Sequence, residues 1–107
     1  MNWVPGRRKG GYLKLPLLEL GSMDCYLIRY PTGSGVWFHT DEVPGRRHYR
    51  LNLLLRKARE GGAFRMLGLP LLSFWRVTLF RPDRYAHAVE TIYKGERLVF
   101  SLGVALK

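Results

Sequence analysis

His39 and Asp41 stand two residues apart and a lone His87 follows at a distance, so the chain offers two imidazoles and one carboxylate. That donor set suits iron(II), which it binds on one face of an octahedron with three positions left open. In an extended segment residues i and i+2 point to the same face, so His39 and Asp41 project together while Thr40 points away. His87 opens a second segment, His87-Ala88-Val89-Glu90-Thr91. In an antiparallel arrangement the end of one strand lies beside the start of its partner, which brings the third donor within reach. Arg97 lies ten residues beyond His87 and carries a guanidinium able to clamp a carboxylate with two parallel hydrogen bonds. Of the open metal positions, two suit a bidentate 2-oxo acid and the third dioxygen.

Short strands must position these groups. Period-two alternation and aromatic or β-branched runs recur between Gly and Pro punctuation, which predicts strands over 12–20, 24–30, 36–39, 48–56, 63–67, 73–80, 87–93 and 97–106. Turns fall at 31–35, Pro44-Gly45, Gly61-Gly62, Pro82-Asp83 and Lys94-Gly95. The expectation is a single compact all-β domain over 1–107 with little helix, a jelly roll or small barrel. Arg56 to Glu60 has room for one marginal helical turn before Gly61-Gly62 stops it. Alternation sets His48, Arg50, Asn52 and Leu54 on one face of the central strand. If the apolar set on the other face is covered by a neighbour, this polar set faces the cavity, and Arg50 and Asn52 become candidate contacts for substrate or co-substrate. His48 does not share a strand end with Asp41, so it reads as a group behind the ligands or on the surface.

Eighteen Lys and Arg against eight Asp and Glu give a net charge of +10, which points to an anionic partner or a soluble basic surface. The single cysteine, Cys25, excludes an internal disulfide and a cysteine-based zinc cluster and suits the reducing cytosol. The most apolar stretch, Met66 to Trp75, is broken by Gly68 and Pro70 and is about half of what a membrane span requires, so no membrane association is expected. Val-Pro-Gly-Arg-Arg occurs at Val4 to Arg8 and again at Val43 to Arg47, two Pro-Gly turns carrying arginines. Trp3, Trp37 and Trp75 read chiefly as core aromatics.

From about Tyr26 to Ala105 the chain resembles the iron(II)- and 2-oxoglutarate-dependent oxygenases, in particular their prolyl-hydroxylase-like branch. The resemblance is carried by Tyr30-Pro31-Thr32-Gly33-Ser34-Gly35-Val36-Trp37-Phe38-His39-Thr40-Asp41, by Leu51-Asn52-Leu53-Leu54-Leu55 followed by Gly61-Gly62, by Phe80 to Val89, and by Gly95-Glu96-Arg97. It implies a double-stranded β-helix over about 24–106, with iron(II) held by His39, Asp41 and His87 and the distal carboxylate of 2-oxoglutarate held by Arg97. Tyr30 matches a tyrosine lining the co-substrate pocket, and Val89 matches a small apolar residue beside the bound oxo acid. The implied activity is hydroxylation with dioxygen, coupled to decarboxylation of 2-oxoglutarate to succinate, with ascorbate as an accessory reductant.

Three departures stand against the family pattern. Leu54 lies near the place where relatives often carry a second tyrosine, Ala63 follows the Gly-Gly pair where an acidic residue is common, and the helices that brace one sheet in relatives have no counterpart here. A homodimer is one way to cover the unbraced sheet. Three functions follow: a hydroxylase of a protein or peptide residue, with proline favoured by the resemblance; the same chemistry on nucleic acid, suggested by the charge; and a basic β-barrel that binds nucleic acid without catalysis.

Overall fold

The alternation of apolar and polar residues produces strands throughout, and a computed structural model describing residues 2–107 pairs them antiparallel, with no helix among the described residues. They are β1 (Val4–Pro5), β2 (Leu13–Leu20), β3 (Met23–Tyr30), β4 (Val36–His39), β5 (Arg47–Arg56), β6 (Glu60–Gly61), β7 (Phe64–Met66), β8 (Leu72–Phe74), β9 (Val77–Phe80), β10 (His87–Val89), β11 (Ile92–Lys94) and β12 (Arg97–Leu106). A seven-stranded sheet runs β1-β2-β3-β12-β5-β9-β8, a three-stranded sheet β4-β10-β7, and β11 pairs with β6.

Two expected strands divide. The run over 73–80 is a hairpin, in which Phe74 pairs with Val77 across a two-residue turn at Trp75 and Arg76. Trp75 takes φ 51°, a left-handed conformation usually filled by glycine, so nothing in its residue type announced the turn. The run over 87–93 breaks at Glu90 and Thr91, where the chain leaves the three-stranded sheet to pair with β6. The expected helical turn over 56–60 is absent as well. Residue 60 enters β6 instead, and Gly61 sits at φ 78° with the Thr91 carbonyl oxygen 2.1 Å from where a Cβ would stand.

The core lies between the sheets. Ile28, Tyr30 and Val99 from the large sheet, with Tyr12 just ahead of β2, meet Val36 and Val89 from the small one, closed at one end by Ala58 and Ile92. Along β12 burial alternates strictly: Val99, Ser101, Gly103 and Ala105 face inward, while Leu98, Phe100, Leu102 and Val104 face outward and stay half-exposed. Outward residues line up across strands. One row runs Leu15, Leu27, Phe100, Leu53, Val77, and another runs Leu18, Cys25, Leu102, Leu51, Leu79, Leu72. A sheet with one face in water normally carries polar residues there, and this one carries leucines with no layer over them.

Ile92 has 0% exposure and seals the junction between β6, β11 and the core. We predict that Ile92→Ala costs about 3 kcal/mol through lost burial and a residual cavity, read as a lower urea midpoint at unchanged slope.

Candidate metal centre

His39 ends β4 and His87 begins β10, and the ladder pairs them directly. Their ring centroids lie 4.4 Å apart. The Nδ1 atom of His39 is 2.7 Å from the Trp37 carbonyl oxygen, and that of His87 is 3.1 Å from the Tyr85 carbonyl oxygen. A carbonyl can only accept, so each Nδ1 carries a hydrogen, and each Nε2 faces the Asp41 carboxylate. Asp41, two residues past the end of β4, brings its Oδ2 to 3.5 Å from His39 Nε2 and 3.2 Å from His87 Nε2. Candidate ligand atoms of the three residues all lie within 4.8 Å of one another. Phe80, 1% exposed, packs edge-on against the His87 ring at 5.3 Å and removes water from that side.

Burial opposes ionisation of Asp41, yet hydrogen bonds from His39 and His87 outweigh it and hold the carboxyl well below the usual range. The reciprocal effect raises the His39 pKa, chiefly through its hydrogen bond to Asp41. Arg8 adds a cation 3.5 Å from Asp41 Oδ1 and donates to the Thr40 carbonyl oxygen at 2.7 Å. Composition alone gave no hint of this strap across the site.

The donor set fits an octahedral divalent cation. Two imidazoles anchored through Nδ1 and one carboxylate converge from one side, and a cavity of about 320 Å³ lies before them. Tyr30, Arg50, Asn52, Val89 and Arg97 line the same cavity as His39, Asp41 and His87. Val89 is buried on the face of His87, and Tyr30 is buried in a stack with Tyr12 at 5.5 Å. Arg97 stands opposite Tyr30 in the ladder and donates to the Gly62 carbonyl oxygen at 3.1 Å, while its buried Nε has no partner. Among the described residues no carboxylate lies within 4.0 Å of Arg97. A half-buried guanidinium without a counter-charge is costly, and a ligand carboxylate would supply what is missing. A smaller recess of about 180 Å³ beside Arg97 places Thr78 next to Leu54, which is a hydroxyl the sequence reading overlooked.

Arg50 and Asn52 reach the cavity wall, as alternation suggested, and the Arg50 guanidinium and the Asn52 side-chain oxygen already have protein partners. Arg50 binds Asp24 at 2.7 Å and Ser101 at 2.7 Å, and Asn52 accepts from the Ser101 hydroxyl at 2.6 Å. Gly103 makes room for Arg50, since a Cβ there would meet its guanidinium at 2.1 Å. His48 is not on the surface. It is buried beside the cavity, with Nδ1 2.9 Å from the Asp41 carbonyl oxygen.

No protein-family model matches the chain, and neither does any curated protein. Solved structures do. A prolyl-4-hydroxylase from Pseudomonas putida aligns at TM-score 0.75 and 16% identity over 98% of this chain and 77% of that one. The viral collagen prolyl hydroxylase of Paramecium Bursaria Chlorella virus-1, in its 2-oxoglutarate complex, aligns at 0.66 and 12% over 94% and 81%. Rhodobacter sphaeroides SigE in complex with the anti-sigma ChrR aligns at 0.59 and 19% over 94% and 48%. At these identities the likeness is one of fold.

The pKa directions fix how the metal-free protein responds to pH. His39 is raised in the folded state, so its contribution is present below the unfolded value and is lost as pH rises through the folded one. Asp41 is lowered, so its contribution is present above the unfolded value and is lost as pH falls toward the folded one. Thermal unfolding from about pH 3 to about pH 8 should therefore peak between the carboxylate and imidazole ranges, and Asp41→Asn should flatten both limbs. Equal pH dependence in the two proteins would refute the coupling.

Proposed function

We propose that the chain is an iron(II)- and 2-oxoglutarate-dependent hydroxylase. The observation that carries this reading is the convergence of His39, Asp41 and His87 in the cavity that also holds the unpaired guanidinium of Arg97. His39, Asp41 and His87 would hold iron(II), which with dioxygen supplies the oxidising chemistry that turns 2-oxoglutarate into succinate and carbon dioxide and puts one oxygen atom into a substrate C–H bond.

The protein's own part is placement and exclusion of water. Arg97 binds and orients the distal carboxylate of the oxo acid, with the buried Tyr30 beside it and Thr78 available as a second hydroxyl where Leu54 has none. Val89 walls the oxo-acid chain with an apolar surface, and Phe80 and Phe64 close the cavity behind His87. Arg8 lies across Asp41 at the outer side, so the substrate enters past the 7–12 segment. A peptidyl substrate, prolyl included, agrees with the fold of the two prolyl hydroxylases. The charge of +10 favours nucleic acid as a second substrate class for the same chemistry, and binding without turnover is the remaining alternative. Cys25 is free and half-buried, in keeping with a cytoplasmic setting, and among the described residues no helix is long and apolar enough to cross a membrane.

The uncovered face of the large sheet supports a homodimer. Six strands at about 4.8 Å spacing make an apolar strip roughly 24 Å across. A second copy offers the same leucine rows by symmetry, and sheets of this kind stack face to face. Light scattering should give twice the chain mass for the wild type and the single-chain mass for Phe100→Glu; a monomeric wild type would contradict the dimer.

For the activity, succinate release with iron(II), 2-oxoglutarate and ascorbate should be detectable against peptide pools and absent in Asp41→Ala. Arg97→Ala should raise the 2-oxoglutarate KM by about tenfold or more through loss of charge-assisted hydrogen bonds. An unchanged KM would remove Arg97 from the co-substrate site. If nucleic acid is the substrate instead, its affinity falls steeply with salt, and a flat dependence would exclude phosphate contacts.

A further inference from the structure

Two of the three ligands are held by a strand ladder, and the third is not. Asp41 lies in the irregular segment between β4 and β5, so its direction depends on whatever grips its peptide groups. Its N–H donates to the Pro82 carbonyl oxygen at 2.8 Å. Pro82 sits in a turn fastened by Arg81, which makes paired hydrogen bonds to Asp83 at 2.9 and 2.8 Å. The Asp41 carbonyl oxygen is met by His48 Nδ1 at 2.9 Å. His48 is 7% exposed, and its own backbone N–H is bound to Asp83 at 3.2 Å.

Two independent contacts set the state of the His48 ring. The Asp41 carbonyl can only accept, so Nδ1 carries a hydrogen. Arg50 Nε, 3.3 Å from His48 Nε2, can only donate, so Nε2 is the acceptor. Arg50 is itself 6% exposed and fixed by Asp24 and Ser101, lying across the space that Gly103 leaves open. The chain of contacts therefore runs from the Asp24 carboxylate through Arg50 and His48 to the peptide group of the ligand aspartate, with each donor matched to one acceptor.

We propose that His48 is a positioning residue for the metal centre. Locked as the Nδ1–H tautomer by Arg50, it holds the Asp41 peptide so that the carboxylate faces His39 and His87. The inference rests on the metal-centre reading above and adds to it a histidine that binds neither metal nor substrate. It also gives the buried Arg50, whose partner Asp24 is part-exposed, a purpose beyond the ion pair itself.

Heteronuclear NMR of the imidazole nitrogens in the metal-free protein should show His48 as the Nδ1–H tautomer, and Arg50→Lys should release a share of it to Nε2–H. Manganese(II) binding, read by electron paramagnetic resonance, should weaken about tenfold or more in His48→Leu, the usual effect of losing an outer hydrogen bond. It should return to within about threefold in His48→Asn, whose amide nitrogen replaces the Nδ1 donor. An Nε2–H wild type, a folded His48→Leu protein with wild-type manganese affinity, or a His48→Asn protein as weak as His48→Leu would each overturn the proposal. Should His48→Leu fail to fold, the wild-type tautomer and the Asn variant decide. A wild type that binds no manganese at all would sink the metal centre and this inference with it, whereas failure of His48 alone leaves manganese binding intact and still lost in Asp41→Ala.

Discussion

A carboxylate lodged between two imidazoles is the contact around which this small protein is organised. With Asp41 Oδ2 at 3.2 and 3.5 Å from the two Nε2 atoms, three groups that water would otherwise solvate separately are gathered at one end of a cavity. Holding them there has a desolvation cost, and the surrounding structure answers it with polar partners. Each ring is pinned by a backbone carbonyl, the aspartate peptide is held at both its N–H and its C=O, and Arg8 lies over the remaining carboxylate oxygen. The direct pairing of His87 with His39 then becomes a requirement. A slip of one residue would turn one imidazole to the opposite face and leave the carboxylate with a single imidazole.

Further into the cavity the same logic separates two arginines. Arg50 is saturated by Asp24, Ser101 and His48, which makes it part of the wall. Arg97 is not saturated: one carbonyl partner and an orphaned Nε leave it short of an anion. A cavity lined both by a His-Asp-His set able to hold a divalent cation and by an unsatisfied guanidinium would suit a small molecule that chelates through one end and is anionic at the other, as in the proposed function.

Much of this could be read from residue order because strand geometry is simple. Extended geometry suggested that His39 and Asp41 share a side and antiparallel adjacency brought in His87, although Asp41 lies past the end of β4 and is aimed by contacts to its own peptide groups. The strands over 36–39 and 97–106 matched residue for residue, since Gly and Pro bracket the first and the second alternates without interruption. What escaped were features set by tertiary contacts. Trp75 turns a chain whose apolar run gave no sign of turning, and Glu90-Thr91 switches sheets because β6 offers a second partner. For His48 the sequence left open a place behind the ligands or on the surface, and the structure puts it behind them. Its alternation was right, but only the fold reveals that the ligand loop crosses above it. Arg8 lies 33 residues before Asp41, and no spacing rule links them.

Everything proposed for this cavity depends on where a divalent cation binds. Anomalous diffraction from crystals grown with manganese(II) measures this directly. One peak is expected in contact with His39 Nε2, His87 Nε2 and an Asp41 carboxylate oxygen, inside the cavity lined by Arg97. A peak elsewhere, or none at that position with the three side chains in place, would contradict it.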